Sequence, residues 1–101
     1  MTAPGTMQPG LLARRLAEAP VLLADGATGT NLFDMGLSSG DSPELWNDIH
    51  PDRIRALHRS FVAAGADIIL TNSFGCNARR LRLHNLEART RELNRKAAAL
   101  A

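Results

Sequence analysis

The sequence predicts an α/β fold built on parallel strands, and three observations carry that prediction. Two short apolar runs, Val21–Ala24 and Ala66–Leu70, read as strands buried on both faces. Between them, Ile54, Leu57, Phe61 and Val62 recur at the spacing of one helix face, so the unit is β-loop-α-β. Such a crossover makes the two strands parallel and the connection right-handed. Finally, both runs stop in polar and glycine residues, Asp25-Gly26-Ala27-Thr28-Gly29-Thr30 and Thr71-Asn72-Ser73-Phe74-Gly75. Both ends therefore fall on one edge of the sheet, the rim at which α/β folds bind ligands.

Bulk properties narrow the class. With 101 residues, 45% hydrophobic and 22% charged, the chain has the composition of a soluble globular segment of one domain at most. It has no apolar run of about 18 residues, so no membrane-spanning helix is expected. The start, MTAPGTMQPG, lacks the basic stretch and apolar core of a secretory signal, which makes the cytoplasm the expected location. Net charge is +2, and all but one of the twelve Lys and Arg residues are Arg. Arg79, Arg80, Arg82, Arg89, Arg91, Arg95 and Lys96 form a basic stretch, but Glu87 and Glu92 lie within it and aromatic residues do not. It reads as a solvated helix face, and neither nucleic acid nor membrane is an expected partner. The single cysteine, Cys76, excludes an internal disulfide and any site built from several cysteines of this chain.

In chain order, residues 1–10 read as a flexible lead-in, and residues 11–101 as the folded part. Leu11–Ala19 is a short helix with Leu12, Leu16 and Ala19 on one face, stopped by Pro20. The interval Asp25–His50 is long and irregular, and a loop of that length is usually functional or a lid. Leu32, Phe33 and Met35 fit a turn of helix inside it, and Trp46 reads as its packing anchor. Pro51–Ala64 is a helix: Pro51 and Asp52 suit its first turn and Gly65 its end. His58, on the side of Arg55 and Arg59, reads as a surface residue. Asn77 caps a short helix, Ala78–His84. A last helix over Glu87–Ala101 follows, with Leu86, Leu93, Ala97 and Leu100 on one face. Two paired strands are marginal alone, and a parallel pair needs both faces covered. The chain is therefore expected to be the leading part of a larger α/β domain, and to be partly folded or self-associating by itself.

Asp25 carries the sharpest chemistry. A carboxylate at a strand end can hold a substrate ammonium, and Gly26 can offer its N–H to a substrate carboxylate; together they suit an amino acid. Equally, Asp25 can be a turn acid that binds its own loop. The glycine pattern matches neither G-x-G-x-x-G nor the P-loop and contains no Lys, which argues against a nucleotide site. Thr71, Asn72 and Ser73 can orient a polar substrate or satisfy loop backbone, and Phe74 can wall a pocket. Cys76 reads as inert, and His50 and His84 have no second ligand at useful spacing.

Three stretches resemble the homocysteine S-methyltransferase family: DGATGT at Asp25–Thr30, PDRIRALHRSFVAAGADIILTNSFG at Pro51–Gly75 and LRLHNLE at Leu81–Glu87. The first is nearer to the cobalamin-dependent and betaine-dependent branches than to the S-methylmethionine-using branch. The resemblance implies a (β/α)8 TIM barrel, incomplete in this chain, that methylates the thiolate of homocysteine to give methionine. Betaine or a methylcobalamin/folate system, with cobalamin in a partner module, would supply the methyl group. It implies a zinc ion on the substrate sulfur, held by three cysteines in the later part of the barrel. Cys76 matches none of these, so no metal ligand or catalytic residue is expected in this chain. Asp25 would hold the homocysteine amine and Gly26 would lie against its carboxylate. Thr71, Asn72 and Phe74 would line the same pocket. Ser73 stands where relatives often have Thr. The alternatives are a non-catalytic fragment, or another barrel or nucleotide-binding enzyme with a glycine-rich first loop.

Overall fold

The structure, a computed structural model, describes residues 10–101; the expected lead-in lies outside them apart from Gly10. Among the described residues six α-helices follow one another: α1 (Leu11–Glu18), α2 (Gly29–Asp34), α3 (Trp46–Ile49), α4 (Pro51–Ala63), α5 (Ala78–Leu81) and α6 (Thr90–Leu100). Short 3-10 turns precede α3 (Pro43–Leu45), extend α5 (Arg82–His84) and lead into α6 (Glu87–Arg89).

The two expected strands are reduced to one parallel bridge, Ala24 with Ile68. Asp67 and Ile68 donate their N–H groups to Leu23 O, and Asp25 N–H donates to Ile68 O. The direction of pairing is the one the sequence predicts, but the extent is not. Nor are these residues buried on both faces: Val21 is 75% exposed and Leu70 65%. Among the described residues neither segment has a second neighbour, and a two-stranded pair without one has little to extend it. Acids close both ends of the pairing instead. Asp67 Oδ2 accepts Leu23 N–H at 3.0 Å, and Asp25 Oδ2 accepts Leu70 N–H at 3.1 Å.

The interval 25–50, read as functional or a lid, is a packed part of the molecule. Leu32, Leu37 and Trp46, all from the interval 25–50, join Ile54 and Leu57 of α4 in the larger core cluster, with Phe61 and Leu100 against it. Trp46 is the anchor expected: Arg53 lies 4.9 Å over its ring, and His50 meets it edge-on at 5.0 Å. A second cluster joins Cys76, Leu81 and Leu93, with Leu86 against it. Asn77 caps α5 as predicted, its side chain accepting Arg80 N–H at 3.0 Å. The last helix begins in a 3-10 turn, and its face is seated as expected, with Leu93 and Ala97 wholly buried.

Three local expectations are corrected. His58 is no surface residue; it is 5% exposed and neither ring nitrogen has a partner. It follows Leu57 on the inward side of α4, and the flanking arginines obscured that. Val62, placed on the apolar face with Phe61, is 55% exposed because the stripe turns away from the core at the end of the helix. The apolar face of α1 is also unburied: Leu12 and Leu16 are each more than half exposed, and Leu11 and Leu12 line a hollow with Leu22 and Ile68.

Candidate functional site

The two loops that leave the bridge pair meet at a cavity of about 810 Å³. Thr28 and Gly29 form its wall from the first loop, and Leu70–Asn72, Phe74 and Gly75 form the wall from the second. Gly40–Glu44 closes a third side, and Arg80, Leu83 and His84 form the outer lip. The hollow among Asp52, Arg55 and Arg59 on the outer face of α4 lies away from the strand ends.

Three of the five expected substrate-binding residues share this cavity. Phe74 is 95% exposed at its edge, an apolar surface held out in solvent. Thr71 and Ser73 pair hydroxyl to hydroxyl, so one of the two retains a proton to donate or a lone pair to offer outward. Asn72 is buried and largely committed: Nδ2 donates to Pro43 O at 2.9 Å and to Asn47 Oδ1 at 3.0 Å. Among the described hydrogen bonds none uses its Oδ1, the atom left for a ligand donor.

Asp25 and Gly26 lie beside the cavity rather than in its wall. Asp25 is half-buried, and one carboxylate oxygen is spent on Leu70 N–H, which fixes the residue next to Thr71. Its Oδ1 takes no described hydrogen bond. The acid thus binds the neighbouring strand end, where the sequence offered its own loop or a ligand. Gly26 has a packing reason to be glycine: a Cβ there would stand 3.2 Å from Phe61 Cε1. Its N–H takes no part in the described backbone hydrogen bonds.

Sequence reasoning missed the polar residues that hold this rim in place. Asn47, 2% exposed, donates from Nδ2 to Asn72 O at 2.9 Å while its Oδ1 accepts from Asn72. The two amides form a reciprocal clip between α3 and the second loop. Glu44, 6% exposed, accepts Gly75 N–H at 2.7 Å and the Ser42 hydroxyl at 3.1 Å. Asp48 binds Arg89 at 2.7 Å and Lys96 at 2.6 Å, and Glu92 binds the same two cations at 2.7 and 3.1 Å. The network ties α3 to α6, so two cations of the basic stretch are engaged internally. The Lys96 and Arg89 hydrogen bonds hold the Asp48 carboxyl below the usual range. Arg89 and Lys96 lower Glu92 to about 2. The available signal was the cluster P-E-L-W-N-D, with three polar groups around one Trp, where a solvated loop would leave the tryptophan alone.

The described residues do not fit a metal ion. No three His, Cys, Asp or Glu side chains converge among them. Cys76 is buried, with Sγ 4.0 Å from Thr90 O, and burial together with the Glu44 charge pushes its thiol up. A buried thiol held protonated in this way is a poor nucleophile. Among the described residues no helix is long and apolar enough to cross a membrane.

The sequence has relatives among known proteins. The family model for homocysteine S-methyltransferase matches residues 22–101. The chain is 37% identical over 87 residues to methionine synthase of Mycobacterium tuberculosis (strain ATCC 25618 / H37Rv), and 34% identical over 87 residues to that of Mycobacterium leprae (strain TN). Each match covers 80% of this chain and 7% of the relative, so the chain spans a small part of the proteins it matches. With the match running from the first apolar run through α6, the chain belongs to the homocysteine S-methyltransferase family.

Proposed function

We propose that this chain is the opening β-α-β-α portion of a (β/α)8 barrel and supplies the rim that holds homocysteine for methylation to methionine. The observation that carries the reading is the convergence of the first loop with Thr71, Asn72 and Phe74 on one cavity. The parallel sense of the Ala24–Ile68 bridge supports a barrel start, since parallel neighbours need a crossover such as α4.

Each residue has a part in that reading. Asp25, with one oxygen fixed on Leu70 N–H, directs the other to the substrate ammonium. The Gly26 N–H offers a donor to the substrate carboxylate. The Thr71–Ser73 hydroxyl pair and Asn72 Oδ1 take further polar groups, and Phe74 covers the apolar methylenes. These residues bind and orient; none of them acts on the sulfur. A zinc ion, where the assembled enzyme uses one, would lower the pKa of the substrate thiol so that thiolate is present at neutral pH, and would take its ligands from residues other than these. The methyl donor is betaine or a methylcobalamin/folate system.

Asp25→Asn tests the reading. The amide keeps an acceptor for Leu70 N–H and removes only the charge. Losing one charge-assisted contact corresponds to a weakening of about 10- to 100-fold in homocysteine affinity by titration calorimetry. An unchanged affinity would show that Asp25 does not hold the amine.

A further inference from the structure

We infer that Glu44 is a positioning residue for this rim, setting the shape of the cavity through Gly75 without binding the substrate itself; the inference rests on the homocysteine reading above. The carboxylate belongs to the 3-10 turn Pro43–Leu45, far in sequence from the loop it holds. Its Oε1 takes Gly75 N–H at 2.7 Å and its Oε2 takes the Ser42 hydroxyl at 3.1 Å. All three residues are buried, and all three line the cavity. A buried carboxylate costs free energy unless its oxygens are satisfied, and here both are, by groups from the two facing walls.

Gly75 shows how close the approach is. A Cβ at that position would lie 2.8 Å from Glu44 Oε1, so any side chain would push the carboxylate away. Gly75 follows Phe74 directly and ends the Thr71–Gly75 segment that reaches the cavity. Holding its N–H therefore fixes the direction in which Phe74 leaves the loop and the distance between the two walls. The Asn47–Asn72 clip holds the buried side of the same segment, and Glu44 holds its Gly75 end. With both donors internal, the carboxylate has no oxygen aimed at a substrate ammonium, which separates its part from that of Asp25.

The test compares Glu44→Ala with Glu44→Gln in the whole chain, using homocysteine as the probe in titration calorimetry. Gln can accept Gly75 N–H through its oxygen and donate to Ser42 through its nitrogen. Glu44→Ala should weaken binding about tenfold or more, whereas Glu44→Gln should stay within about threefold of the wild type. Gly75→Ala should reproduce the Glu44→Ala loss. Ile54→Val, which loosens the core away from the cavity, serves as the stability control and should leave affinity unchanged at temperatures where it is folded. Equal losses in Glu44→Ala and Glu44→Gln would make the charge itself a ligand contact and overturn the positioning role. So would wild-type affinity in Glu44→Ala, or a loss in Ile54→Val as large as in Glu44→Ala. A wild-type chain that does not bind homocysteine would overturn the homocysteine reading, and this inference with it.

Discussion

The Asp25 carboxylate accepts the Leu70 backbone N–H at 3.1 Å, which joins the end of the first strand segment to the residue before Thr71. Asp67 does the same at the other end, accepting Leu23 N–H at 3.0 Å. Each segment thus carries an acid that closes the end of its neighbour. A pairing with one ladder bridge is held in register by side chains as much as by backbone, and the two loops of the cavity diverge from a fixed point.

The Asn47–Asn72 clip should be worth more than either residue suggests alone. Removing one amide strands buried groups of the other, at a cost of about 1–3 kcal/mol. Asn47→Ala and Asn72→Ala should each lower the urea midpoint, and the double variant should be less destabilised than the sum of the two. Strict additivity in that cycle would mean that the amides do not act as a unit.

Acid should destabilise the fold in two stages. His58 is held below the ordinary 6.5 by burial, with the Asp25 charge opposing, so the unfolded chain takes up that proton first. Stability from the neutral, buried ring should therefore decline as pH falls below about 6.5. Asp48 and Glu92 titrate lower in the folded chain than their ordinary 3.8 and 4.5, Glu92 at about 2. Their contribution is present above those ordinary values and lost as pH falls from there toward 2. Urea unfolding from pH 8 to 3 should show both declines. His58→Leu should remove the upper one, and Glu92→Gln should flatten the lower one.

Leu32 tests whether the interval 25–50 is part of the core or a lid. It is fully buried among Leu37, Trp46, Ile54 and Leu57. Leu32→Ala should cost about 2–5 kcal/mol in chemical denaturation, as for a core leucine. A change below about 0.5 kcal/mol, the range of surface substitutions, would return the segment to the status of a mobile loop.

The residues that the sequence placed well are those whose chemistry is local. Asn77 caps the turn that follows it, and Pro51 and Asp52 open α4 where a helix start tolerates them. Trp46, the only tryptophan of the chain, packs into the core cluster with Ile54 and Leu57. The residues it misplaced depend on distant partners. His58 looked exposed because Arg55 and Arg59 flank it, yet its side of α4 faces inward. Glu44, Asn47 and Asp48 drew no reading from the sequence, because their partners Gly75, Asn72 and Arg89 lie 31, 25 and 41 residues away. The apolar runs were legible as strand segments, but their burial was not, because that requires neighbours on both edges and faces. The cavity was half legible: two loop ends on one rim follow from strand direction, whereas the third wall at Gly40–Glu44 follows from packing.

The unburied apolar groups predict the behaviour of the chain in solution. Val21, Leu23, Leu70 and Leu83 are each more than half exposed, as are Leu11, Leu12 and Leu16 of α1. Apolar surface gathered around an open strand pair favours association. Sedimentation velocity over a concentration series should show a weight-average mass rising above 10.9 kDa. A single monomer boundary throughout, with well-dispersed NMR resonances, would contradict this.

The central claim is that this rim recognises the amino-acid end of homocysteine, and the amine is the group that decides it. Titration calorimetry of the chain with homocysteine and with 4-mercaptobutyrate, which has the same thiol and carboxylate but no amine, isolates that group. The account predicts that homocysteine binds at least about tenfold tighter, and that Asp25→Asn brings the two affinities together. Equal affinities in the wild type, or no saturable binding of homocysteine, would contradict it.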